Sequence, residues 1–164
     1  WSRIRRFVLY DWPAAVRSVW KETIIISLII LLGAITSYSL VASNPEWYYN
    51  FVSEDMAGGR DPRATAEYLQ STLGHGKAAS EGESGLHVFA TYLFTHNSRV
   101  SILSFALGFA FGVPTMMLEY YQGIGLGAMM AVFAGKGLGF DFGGWLFIHG
   151  TTELFAAALS GARL

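Results

Sequence analysis

The chain has 164 residues, 52% of them hydrophobic and only 14% charged, with a net charge of −1. A soluble domain of this length is about a quarter charged, so the composition argues for a membrane protein, and the near-neutral balance argues against nucleic-acid binding. There is no cysteine, which excludes a disulfide framework, thiolate chemistry and a thiolate-ligated metal site. Nineteen glycines are many for a soluble helical protein and suit closely packed membrane helices.

Residues 1–22 mix Arg3, Arg5, Arg6, Arg17 and Lys21 with Trp1, Phe7, Trp12, Val16 and Trp20. Pro13 suits the start of a helix, where its missing N–H is not needed. Trp12, Val16 and Trp20 then recur at four-residue spacing on one face. Basic residues beside tryptophans at a bilayer boundary predict an interfacial amphipathic helix lying against anionic headgroups; the plainer alternative is the ordinary basic flank of a first span.

Thr23 to Ser43 contains no charge. As a helix it spans about 31 Å, enough for a hydrocarbon core roughly 30 Å thick. It is the first expected span and is too long for the apolar region of a signal peptide. Five basic residues precede it, whereas Asn44 to Ser98 holds seven acids and three bases. The positive-inside rule therefore puts the N-terminus in the cytoplasm and residues 44–98 outside.

That outer segment opens on Asn44-Pro45, a turn signal, followed by the aromatic cluster WYYNF. Asp61-Pro62 reads as an N-cap with proline behind it, predicting a helix over Arg63 to Leu73. Gly74 to Gly85 is Gly/Ser-rich and is expected to be mobile. Residues 99–164 are expected to form a Gly-rich membrane bundle. Its first span is Val100 to Leu118, with Gly108 and Gly112 as a GxxxG close-approach face and Pro114 as a kink or break. Glu119 to Gln122 is taken as a cytoplasmic turn, and the next span then runs from Gly123 through Gly135 to Phe142. The alternative places a break near Pro114, with the polar group at membrane depth. A last span carries His149 and Glu153, and both ends of the chain are then cytoplasmic. The expected fold is all-α: a polytopic transmembrane bundle of about four spans.

The intramembrane polar residues are the functional candidates. His149 and Glu153 are one turn apart on a helix face, and ionisable groups within a span face the bundle or a wet cavity. Their readings are a proton- or ion-coupled pair, a metal-ligand pair, or a structural hydrogen-bonded pair. Gln122, Asn97, Arg99 and Glu119 complete the set. Arg99 either snorkels to headgroups or reaches Glu119 or Glu153. The zinc motif HExxH needs a second histidine where Glu153 stands, so an intramembrane metallohydrolase is a weak alternative. Gly123 to Gly127 lacks the lysine of a phosphate loop. Gly123, Gly127 and Gly150 read as helix-packing residues.

FTHNSRVSILSFALGFAFGVP, YYQGIGLGAMM and FIHGTTELFAAALSGARL resemble the stage II sporulation protein M family. WPAAVRSVW and NPEWYYNFV are weaker likenesses. The family's pattern is an N-x-R start to a Gly-rich span, an N-G-x-x-x-G element and an H-G-x-x-E-L-x-A signature, with Gln122 replacing the usual asparagine here. The resemblance implies a multi-pass protein of the cytoplasmic membrane that continues past Leu164. It implies a non-enzymatic scaffold or anchor for peptidoglycan hydrolases or a MoxR-type AAA+ ATPase; no cofactor or metal is expected. Membrane lipids and a second copy of the chain are further expected partners. The runner-up is a transporter or exporter-like permease in which His149, Glu153 and Gln122 line a path.

Overall fold

The computed structural model describes residues 2–73, 94–95, 98–100, 102–103, 106, 113–147 and 155, and every regular element among them is helical. The chain opens with α1 (Ser2–Arg6), a π-helical turn (Phe7–Asp11) and α2 (Trp12–Ser18) as one continuous rod. Pro13 sits in the first turn of α2. Val19 leaves the helical region, with φ −113° and ψ 22°, so Trp20 belongs to the next helix. The Trp12–Val16–Trp20 face expected from spacing is therefore interrupted at Val19.

Helix α3 (Trp20–Ser43) has 24 residues, about 36 Å of helix. Among the described residues it is the helix long and apolar enough to cross a membrane. The four-span bundle expected from the sequence thus has one candidate span here. Hydroxyls within α3 bond back to its own carbonyls: Ser27 to Thr23 at 2.8 Å and Thr36 to Leu32 at 2.8 Å. Their polarity is thereby neutralised inside the apolar rod.

Asn44 ends α3 and turns the chain. Its side chain accepts a hydrogen bond from the Glu46 N–H at 3.0 Å, opening a 3-10 turn (Pro45–Trp47) that passes into α4 (Tyr48–Phe51). Helix α5 (Glu54–Ala57) is capped by the Ser53 hydroxyl and stopped by Gly58 in the left-handed region. Helix α6 (Ala66–Thr72) starts at Thr65, whose Oγ1 accepts from the Tyr68 N–H at 3.2 Å. The helix expected to start at Asp61-Pro62 therefore begins later. Asp61 instead accepts from the Arg63 N–H at 2.7 Å, an Asx turn that spends the capping group locally.

Helix α7 (Val113–Gly135) is continuous through Glu119 to Gln122, so the cytoplasmic turn expected there does not exist. Glu and Gln are good helix formers, and Glu119 falls on the buried stripe rather than at a boundary. The α7 helix does not extend to Phe142 either. Gly137, at φ 78°, lets the Leu138 N–H reach the Phe133 carbonyl at 2.8 Å and the Gly137 N–H reach Ala134 at 3.0 Å. That double bond pattern is a Schellman stop. Helix α8 (139–147) then folds back along α7, with Phe142 stacked on Phe133 at 4.5 Å and Gly143 beside Met130.

The core sits where α3, the short helices within residues 45–73 and α7 meet. Val41, Tyr48, Val52, Leu69 and Leu73 pack with Ala128, Met129, Val132, Phe133 and Phe142. Residues 44–73 thus form a folded cap on the C-terminal ends of α3 and α7.

Candidate functional site

The seam between α3 and α7 is built from spacing. On α3 the buried face is Ile26, Ile30, Gly33, Ser37 and Val41; on α7 it is Thr115, Glu119, Gly123, Gly127 and Ala131. The α7 residues recur every four positions, the ridge that packs into a neighbouring helix's grooves. Gly33 faces Tyr120 and Ile124, Gly123 faces Ile30 and Ala34, and Gly127 faces Ala34 and Ser37. Residue numbers rise together along both helices, so α3 and α7 run in the same direction. A Cβ on Gly33, Gly123 or Gly127 would overlap backbone of the other helix, which is the close approach that small residues permit.

Glu119 occupies this stripe one turn before Gly123 and one turn after Thr115, and both it and Thr115 are 0% exposed. Its Oε2 is shut off from solvent. A carboxylate at such a place either holds a proton or is held by donors, because a bare charge in an apolar setting costs several kcal/mol. Gln122 is half-buried on the same helix. Arg99 is exposed, in contrast to Glu119. Gly123 and Gly127 lie at the α3 contact. His149, Glu153, Asn97, Gly108, Gly112 and Gly150 lie outside the described residues, as does the Gly74 to Gly85 stretch. Among the described residues no three His, Asp or Glu side chains come together as a metal site.

A second polar centre lies in the cap, and sequence reasoning missed it. Tyr48 is fully buried; its hydroxyl donates to the Arg60 carbonyl at 2.7 Å and lies 3.5 Å from the Met129 sulfur of α7. Arg60 is buried as well. Its Nε donates to the Ala57 carbonyl at 3.0 Å and a terminal guanidinium nitrogen donates to Met56 at 3.2 Å. Those carbonyls end α5, so the guanidinium caps it. Gly58 and Gly59, both at positive φ, turn the chain back so that Arg60 can do this. The Tyr68 hydroxyl fastens the same turn by donating to the Gly58 carbonyl at 2.9 Å. Burial pushes the Tyr48 hydroxyl well above the usual tyrosine range, and the Arg60 charge opposes that in part. Burial also lowers the Arg60 guanidinium, with Tyr48 and Tyr68 opposing. The sequence signal was Gly58-Gly59-Arg60, a cation directly behind a pair of turn glycines.

A family model described as Stage II sporulation protein M matches residues 20–163. No curated protein and no solved structure matches the chain.

Proposed function

The chain belongs to the Stage II sporulation protein M family, and from that membership we propose that it is a non-enzymatic, multi-pass membrane scaffold. Its partners are cell-envelope proteins on the side of the cap, with peptidoglycan hydrolases the first class and a MoxR-type ATPase the cytoplasmic alternative. One observation carries this reading: residues 44–73 are a hydrogen-bonded cap seated on the core end of α3 and α7, not a loose connection. Such a cap is a rigid surface beside the span. It exposes Trp47, Tyr49 and Tyr68 among Glu46, Glu54, Asp55 and Glu67, and exposed aromatics are the residues that anchor protein interfaces.

The test is photo-crosslinking in the native membrane. A benzophenone side chain replaces Tyr49 or Tyr68, and in a control replaces Ile35 on the exposed side of α3. Adducts to an envelope hydrolase from the two cap positions and not from Ile35 support the scaffold. Adducts from the cap to lipid alone count against it.

A second reading, a permease, draws on Glu119, a carboxylate buried on the seam of the candidate span. Substrate-dependent flux in liposomes would favour it.

A further inference from the structure

Residues 3–12 are exposed along their whole length, although five of them are large and apolar: Ile4, Phe7, Val8, Leu9 and Trp12. They lie directly ahead of α3: the rod α1–α2 ends where the candidate span begins, and Val19 breaks the helix between the two. This segment has an apolar stripe, Ile4–Val8–Trp12–Val16, that repeats every four residues. On a regular α-helix a four-residue repeat drifts by roughly 40° per step, and three steps would wind the stripe around a third of the helix. The π-turn at Phe7–Asp11 lies in the middle of the repeat. A π-turn takes one residue more than an α-turn, so it absorbs most of the surplus and brings Ile4, Val8, Trp12 and Val16 close to one line.

The charges fall on the remaining arc. By the same turn count Arg5, Arg6 and Arg17 stand away from the stripe, and Arg5, Arg6, Tyr10 and Asp11 line one shallow groove. Arg6 and Asp11 are 3.9 Å apart at 79% and 54% exposure, a pair that solvent screening makes weak. Arg6 therefore keeps donors for an outside anion, and Arg5 lines the same groove. A straight apolar line, flanking guanidinium groups and a position at the end of a span have one shared complement: the headgroup layer of an anionic bilayer.

We propose that residues 2–18 form a membrane-surface helix that immerses the Ile4–Val8–Trp12–Val16 line and engages anionic lipid phosphates through Arg5, Arg6 and Arg17, with the π-turn as the device that straightens the line. The proposal is independent of the scaffold reading; a scaffold without this helix, or this helix on a permease, is equally coherent. The test uses the full chain in lipid nanodiscs. The chain has no native cysteine, so a single spin label at Val8→Cys or at Ala14→Cys on the opposite side reads depth without background. In bilayers containing phosphatidylglycerol, the Val8 label is expected to collide several-fold more with oxygen than with a water-soluble nickel complex, and the Ala14 label to show the reverse. The triple variant Arg5→Gln/Arg6→Gln/Arg17→Gln is expected to lose the difference between phosphatidylglycerol-containing and purely zwitterionic discs. Equal accessibility at Val8 and Ala14 would overturn the proposal. So would dipolar broadening of the Val8 label, which would put a second copy on the stripe, or a Val8 depth that ignores lipid charge.

Discussion

Gly123 of α7 lies so close to the carbonyl of Ile30 on α3 that one added carbon would overlap it. The same GIGLG run contains Gly125, where an added carbon would meet only the Met56 sulfur at 3.8 Å. Two glycines, two residues apart, therefore answer to different demands. Gly123 is held by the approach of two backbones; Gly125 is not.

This difference is measurable. Gly123→Ala is expected to lower the melting temperature in detergent, because overpacking costs about 1–3 kcal/mol and only helix separation relieves it here. Gly125→Ala is expected to be neutral or to stabilise by up to roughly 1 kcal/mol, the helix preference of alanine over glycine. Equal melting of both variants would mean that the α3–α7 contact is not this close.

The Tyr48 hydroxyl gives the cap a pH dependence of known sign. Its folded pKa lies above the ordinary value of 10.0 because burial disfavours the phenolate. Below that ordinary value both states keep the proton and the contribution is constant. As pH rises past it, the unfolded chain releases the proton and the folded chain does not, so stability falls. Unfolding of the cap, followed by tryptophan fluorescence, is expected to be flat below about pH 9 and to steepen above about pH 10. Tyr48→Phe is expected to remove that alkaline steepening. It should also destabilise at neutral pH by about 1–3 kcal/mol, because the buried Arg60 carbonyl loses its donor. An unchanged alkaline limb in Tyr48→Phe would assign the effect to another group.

Physics explains which parts of this fold were legible from sequence. Helix α3 was, because Thr23 to Ser43 has no charge and the span length is set by the bilayer. The Asn44-Pro45 turn was, because its hydrogen bond is local. Asp61 and Thr65 are both competent caps only four residues apart, and sequence offers no means of choosing between them. Glu119 to Gln122 misled for a different reason. Polar residues between apolar runs look like a boundary, yet Thr115, Glu119, Gly123, Gly127 and Ala131 keep a strict four-residue period across it. Following the period instead of the polarity would have found the buried carboxylate. The Tyr48–Arg60 bond joins residues twelve apart without periodicity; the Gly58-Gly59-Arg60 turn marks the arginine locally but not its tyrosine partner.

The charge asymmetry around α3 predicts orientation. A cysteine at Glu54, exposed in the cap, is expected to react with an impermeant maleimide added to intact cells. A cysteine at Arg5 is expected to react only after the membrane is opened. The opposite pattern would invert the chain and put the cap in the cytoplasm. It would also move the surface helix to the other leaflet.

Glu119 separates scaffold from permease most sharply. Its side chain is fully enclosed on the seam between Thr115 and Gly123, so a replacement there is sensitive to both shape and hydrogen bonding. Glutamine keeps the shape and an acceptor oxygen but cannot titrate. Leucine keeps approximate volume and loses both polar atoms. If the carboxyl serves only to join helices, Glu119→Gln is expected to melt close to the parent and to restore function in a deletion strain. Glu119→Leu should then fall by about 1–3 kcal/mol, the cost of leaving former partners buried without their bond. If the carboxyl carries protons, Glu119→Gln should fold normally and fail to restore function, since an amide holds no exchangeable acid proton in the working range. Thermal melting and complementation, measured on both variants, decide the matter. A stable, inactive Glu119→Gln protein would end the purely structural reading of the seam and make the permease the better account.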